Sequence, residues 1–184
     1  MKNGQNKFYV IGLTLVATLG GLLFGYDTAV ISGTVGSLNQ FFIAPQGLSE
    51  TAANSLLGFV VSSALIGCIV GGLIGGIVSL KLGRKRGLIL AALLFFFSAM
   101  GSAMPEMGFK PIGEGDFSFF WHFVVYRFIG GVGVGLASML SPMYIAEIAP
   151  ANIRGRLVSF NQFAIIFGML LVYFVNYGIA LLFD

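Results

Sequence analysis

Asp27 and Arg127 are the residues of this 184-residue chain whose types and surroundings promise chemistry. Each is a lone charge inside a long apolar run. A charge near the centre of a bilayer costs roughly 2.5–3.5 kcal/mol on insertion scales, and charges kept there usually face a bundle interior or a water-filled cavity. One is acidic and one is basic, so each can serve as the other's counter-ion. A carboxylate can take up and release a proton, whereas an arginine stays charged and acts as the fixed partner. Two uses of the pair are open: a proton-coupling switch, or an ion pair that only holds two helices together. Intramembrane charges commonly mark transport pathways, which favours the first.

A second group of residues suits an uncharged, hydroxylated ligand. Gln162, Ile165 and Met169 recur at helical spacing, and Phe24 and Thr28 flank Asp27 in the same way. A glutamine amide both donates and accepts hydrogen bonds. An aromatic face such as Phe24 can stack on the C–H face of a sugar. For Gln162 the alternative is plain interhelical hydrogen bonding.

The elements that carry these residues are membrane spans. Hydrophobic residues make up 57% of the chain and charged residues only 9%, against roughly 25% charged in an ordinary soluble domain. A soluble fold could not cover its surface with so few charges. A transmembrane helix needs about 20 mostly apolar residues. Five segments qualify, at about 8–33, 52–80, 87–104, 117–146 and 157–183. None alternates with the period of a strand, so the expected fold is all-α and transmembrane. The first segment is too long for the apolar region of a signal peptide and runs straight into Asp27. Asp27 then falls in span one and Arg127 in span four. Many transporters are built from three-helix repeats in which spans one and four are equivalent, so a pair joining them is placed to sense relative motion of the repeats.

Loop charges orient the bundle. Lys2, Lys7, Lys81, Arg84, Lys85, Arg86, Arg154 and Arg156 fall on one side, and Lys110 stands alone on the other with Glu50, Glu106, Glu114, Asp116 and Asp184. The positive-inside rule puts the N-terminus in the cytoplasm. Phe119, Phe120, Trp121 and Phe123 read as an interfacial aromatic belt at the outer start of span four, with His122 an interfacial histidine among them.

Several other functions are excluded. Cys68 is the single cysteine, so no disulfide framework exists. The net charge of +3 is too small, and too close to apolar runs, to signal nucleic acid. The glycines of span four, Gly130 to Gly135, follow no strand, so a dinucleotide site fails its context. Gly67, Gly71 and Gly75 of span two make a groove for close helix packing. No nucleophile–base or metal-ligand spacing points to an enzyme, and no cofactor is expected.

Four motifs, in order, resemble the sugar porter family of the major facilitator superfamily. They are Gly20-Gly21-Leu22-Leu23-Phe24-Gly25-Tyr26-Asp27, Gly83-Arg84-Lys85-Arg86, Tyr126-Arg127 through Gly135, and Glu147-Ile148-Ala149-Pro150-Ala151-Asn152-Ile153-Arg154-Gly155. Residues 17–35, 49–65 and 136–168 are similar above all to its D-xylose–proton symporters. The resemblance implies the first five helices of a twelve-helix fold with a sugar site between its two halves. By that resemblance Asp27 is the protonation site and Arg127 its partner. Phe24, Gln162, Ile165 and Met169 line the sugar cavity, and Arg84, Glu147 and Arg154 form a cytoplasmic charge network that latches the outward-facing state. Arg84 and Arg154 also satisfy the positive-inside rule without any gate.

Two departures from the family pattern stand out. Leu80 occupies the position where an aspartate often precedes the basic residues, and Met169 replaces a second glutamine of the xylose carriers. The expected function is therefore a fragment of an inner-membrane sugar–proton symporter, for D-xylose or a related monosaccharide. Its partners are the bilayer and the missing C-terminal half, without which it should not transport. A non-transporting membrane assembly subunit, or a decayed gene product, is the alternative.

Overall fold

The structure, a computed structural model, describes residues 5–105 and 117–183. The Glu106–Asp116 loop with Lys110, the residues Lys2 and Asp184, and the side chain of Lys7 fall outside the described residues. Among the described residues there are five α-helices: α1 (Gln5–Leu38), α2 (Glu50–Leu82), α3 (Arg84–Ala103), α4 (Ser118–Ile148) and α5 (Arg154–Phe183). All five are long and apolar enough to cross a membrane. At about 1.5 Å per residue, the 33 residues of α2 reach well past the ~30 Å hydrocarbon core, so its ends stand in the headgroup layers.

Helix ends follow local chemistry. Gly83 is the whole connection between α2 and α3, with φ 79°, a backbone region that L side chains avoid and glycine enters freely. Its N–H bonds the Ser79 carbonyl at 3.1 Å and so closes α2. The basic segment 81–86 is therefore a corner, with Arg84, Lys85 and Arg86 already in the first turn of α3. The sequence expectation began span three at residue 87 because charges mark a boundary of hydropathy, and the helix itself starts three residues earlier. At the far end of α1, a π turn (Asn39–Ile43) and a 3-10 turn (Ala44–Gln46) lead to Gly47 in the left-handed region at φ 60°.

α4 is the hub. Its apolar span is 61% buried, against 17–28% for the other four. It packs on α2, α3 and α1, while α5 packs mainly on α1. Glycine sets how close the helices come. A Cβ on Gly67 or Gly71 of α2 would overlap the Phe128 or Val132 carbonyl of α4, and a Cβ on Gly131 or Gly135 of α4 would overlap the Ala64 or Cys68 carbonyl of α2. The same reciprocity joins α1 and α5. A Cβ on Gly25 would strike the Ile165 carbonyl, and one on Gly168 would strike the Leu22 carbonyl. With apolar lipid on the other side, packing of this kind replaces the hydrophobic drive that water supplies to a soluble core.

The aromatic belt needs correction. Phe119, Phe120 and Phe123 are buried at 5%, 1% and 8% exposure, and only Trp121 is half-exposed at 52%. Phe42, from the turn after α1, packs its ring 6.2 Å from Phe120 and 6.3 Å from Phe123, building a plug with Ile43 and Val60. Adjacent residues on a helix point about 100° apart, so a run of rings cannot all face the interface. His122 lies beside Phe119, ring centroids 5.5 Å apart.

Candidate functional site

The two intramembrane charges meet. Arg127 Nη1 donates to Asp27 Oδ1 at 2.6 Å, joining α4 to α1. The Arg127 side chain is 8% exposed and that of Asp27 is 21% exposed. The carboxylate thus has the more open side, toward which a proton could arrive. Arg127 Nε is buried without a protein partner. A guanidinium carries five N–H donors, so a single carboxylate leaves it under-satisfied, and the burial keeps the pair from being screened by salt.

Ten residues back along α1 and fourteen on along α4 from that pair, the two helices are tied again, about 15–21 Å away at the helical rise. Ser141 Oγ donates to the Ala17 carbonyl at 2.7 Å and lies 2.8 Å from Asn161 Oδ1 on α5. Ser141 and Asn161 are 0% and 7% exposed. Neither residue is singled out by the sequence analysis. The available signal was a serine and an asparagine inside apolar spans, each of which needs a partner in a dry interior.

The residues assigned to the sugar are distributed along the α1–α5 pair. Gln162 is exposed, Phe24 and Met169 are half-buried, and Ile165 is buried at 9%. Ile165 stands where its backbone carbonyl meets Gly25, so it lies on the packed face, whereas Gln162, three residues earlier, is exposed beside that face. Thr28, one turn beyond Phe24, is exposed and bonds back to the Phe24 carbonyl at 2.8 Å. A cavity of about 700 Å³ lies elsewhere, between the C-terminal part of α1 and the end of α3, lined by residues such as Gln40, Phe41 and Ser102.

Of the three basic-end residues, two pair. Arg84 Nη2 bonds Glu147 Oε1 at 2.6 Å, with the side chains 36% and 46% exposed. Exposed pairs of this kind contribute about 0.2–1 kcal/mol, so this contact is easily broken. Arg154 instead donates to the Ala149 carbonyl at 3.4 Å, at the end of α4. It reaches an open carbonyl of the helix C-terminus, where a cation is favoured.

The family profile described as "Sugar (and other) transporter" matches residues 13–184. The D-xylose-proton symporter of Escherichia coli is 66% identical over 186 residues, covering 98% of this chain and 38% of the relative. The glucose facilitated diffusion protein of Zymomonas mobilis is 42% identical, covering 98% of this chain and 37% of the relative. Among solved structures, the E. coli proton:xylose symporter bound to 6-bromo-6-deoxy-D-glucose superposes with a TM-score of 0.93 at 66% identity, over 97% of this chain and 39% of the other. The chain thus spans less than two-fifths of the length of these relatives.

Proposed function

The chain belongs to the sugar transporter family, and from that membership we propose that it forms the first five helices of a proton-coupled monosaccharide symporter of the inner membrane, with D-xylose as its sugar. The observation that carries the coupling is the Asp27–Arg127 ion pair, made at 2.6 Å between α1 and α4. A relative that carries its sugar by facilitated diffusion is 42% identical, and one named as a proton symporter is 66% identical. The nearer relative supports the coupled reading.

In this mechanism Asp27 binds the proton and releases Arg127. The repeats carrying α1 and α4 then rearrange around a central sugar. Phe24, Gln162 and Met169 contact that sugar from this half, and Ile165 shapes the wall behind them. Arg84 and Glu147 hold the cytoplasmic end shut in the outward-facing state, and Arg154 braces the α4 terminus beside them. The remaining length of the transporter supplies the opposite wall, so the 184 residues expressed alone are not expected to move sugar. A full-length protein for the tests is obtained by joining these residues to the remainder of the E. coli symporter chain.

There, Gln162→Ala is expected to weaken D-xylose binding by roughly 1–3 kcal/mol, since it strands the hydroxyls that the amide served. Calorimetric titration measures it. Unchanged affinity would assign Gln162 to helix packing alone.

Orientation is part of the same reading, with the N-terminus cytoplasmic and the 106–116 loop external. A cysteine placed at Gly108 in a Cys68→Ser background should react with a membrane-impermeant maleimide in intact cells. Reaction only after the inner face is opened would invert the topology.

A further inference from the structure

Asn161 and Gln162 are neighbours on α5, and their side chains leave the helix about 100° apart. The first is buried in a three-helix contact and the second faces outward. We propose that Asn161 and Ser141 are positioning residues that set the rotation of α5 about its own axis and thereby aim the Gln162 amide at the sugar. This rests on the reading of Gln162 as a sugar contact given above.

The hydrogen bonds have a direction. Ser141 Oγ lies 2.7 Å from the Ala17 carbonyl and 2.8 Å from the side-chain oxygen of Asn161. A hydroxyl has one proton and cannot serve two acceptors. Turning the Asn161 amide by 180° gives each of these two contacts its own donor, because amide oxygen and nitrogen are interchangeable in shape. The amide NH₂ then donates to Ser141 Oγ, and Ser141 donates to Ala17. The relay runs from α5 through α4 to α1.

Leu157, one turn before Asn161 on α5, also packs with Ala17 and Ile145, but apolar contact is non-directional, whereas the Ser141–Asn161 hydrogen bond has a direction. Facing Asn161 is Gly21, where a Cβ would come within 2.7 Å of the Asn161 side-chain oxygen and 2.9 Å of its carbonyl. One turn on, Gly25 receives the Ile165 carbonyl. Glycine notches let two backbones touch, but they interlock no side chains, so they limit separation more than they limit rotation. A rotation of about 20° would move a group roughly 6 Å off the axis by about 2 Å. That is enough to lose a hydrogen bond whose range spans a few tenths of an ångström. The same rotation would strand the Asn161 amide in a dry interior, which opposes it.

The test uses the full-length protein, with D-xylose and a deoxy analogue lacking one hydroxyl. Ser141→Ala and Asn161→Leu should each lower D-xylose affinity about tenfold, the equivalent of one hydrogen bond. Each should also shrink the discrimination between xylose and the analogue. Adding Ser141→Ala to Gln162→Ala should bring no further loss, because the serine acts through the glutamine. Additive losses would overturn the proposal. So would unchanged affinity and discrimination alongside a lowered unfolding temperature, which would leave the node a support of the fold only. If one variant does not fold, the other carries the comparison. Should Gln162→Ala itself leave affinity unchanged, the sugar role of Gln162 falls and the positioning role falls with it. Should Gln162→Ala weaken binding while the two node variants do not, the positioning role alone falls.

Discussion

Asp27→Asn should abolish uphill, proton-driven accumulation of D-xylose in the full-length protein while leaving sugar binding largely intact. The substitution keeps the side chain's size and removes its titration. It neutralises the carboxylate that Arg127 Nη1 now meets at 2.6 Å, and so releases the arginine from its ion pair as protonation does. Asparagine therefore mimics a carboxyl that is permanently protonated. A ligand shifts a conformational equilibrium only through its differential affinity for the two states, so locking protonation uncouples proton from sugar. A purely structural ion pair predicts another outcome. Arg127 is 8% exposed and its Nε already lacks a partner. Removing its paired carboxylate would then destabilise the protein by roughly 3–5 kcal/mol, the cost of an uncompensated buried charge. Expression and binding would be lost together. The deciding measurement is paired: xylose binding by purified protein, and proton uptake in proteoliposomes. Uphill transport preserved in the Asp27→Asn protein would remove Asp27 from the coupling step.

The second large effect separates two adjacent glycines of α2. Gly71→Ala should destabilise the bundle by roughly 1–3 kcal/mol, the cost of overpacking a close-packed interface. The new methyl group would overlap the Val132 carbonyl of α4, a backbone atom that cannot step aside. Gly72→Ala meets nothing within 4 Å. It should be neutral, or stabilising by up to about 1 kcal/mol from helix propensity. Thermal unfolding of the two purified variants side by side checks the pair. Equal unfolding temperatures would mean that α2 and α4 are not held in backbone contact.

The glycine pair shows where sequence reasoning stops. Composition and span length identify five helices, because transfer into lipid depends on the residues of each segment and on little else. The same logic picks out Asp27 and Arg127, whose burial in an apolar run is costly wherever the helix points. Their opposite charges made the pairing legible as well. The motifs that resemble the sugar porter family were readable for the same reason, as they are continuous in the chain.

The rotation of each helix was not readable. In water, the apolar stripe of a helix marks the face it buries. In lipid, the outer face is as apolar as the inner one, so hydropathy carries almost no azimuthal signal. Hence Gly71 and Gly72 look alike as residues, yet one lies against a carbonyl and the other against open space. Phe119, Phe120 and Phe123 read as a belt beside Trp121, and three of the four are core. Ile165 and Gln162 read as one lining, and the packing turns the first inward against Gly25. Ser141 and Asn161 gain meaning only when α4 and α5 bring them within 2.8 Å of each other. The chain by itself determined which segments enter the bilayer and which charges go with them. Tertiary packing decided which way each helix faces, because in lipid only contact with another helix distinguishes one side from the other.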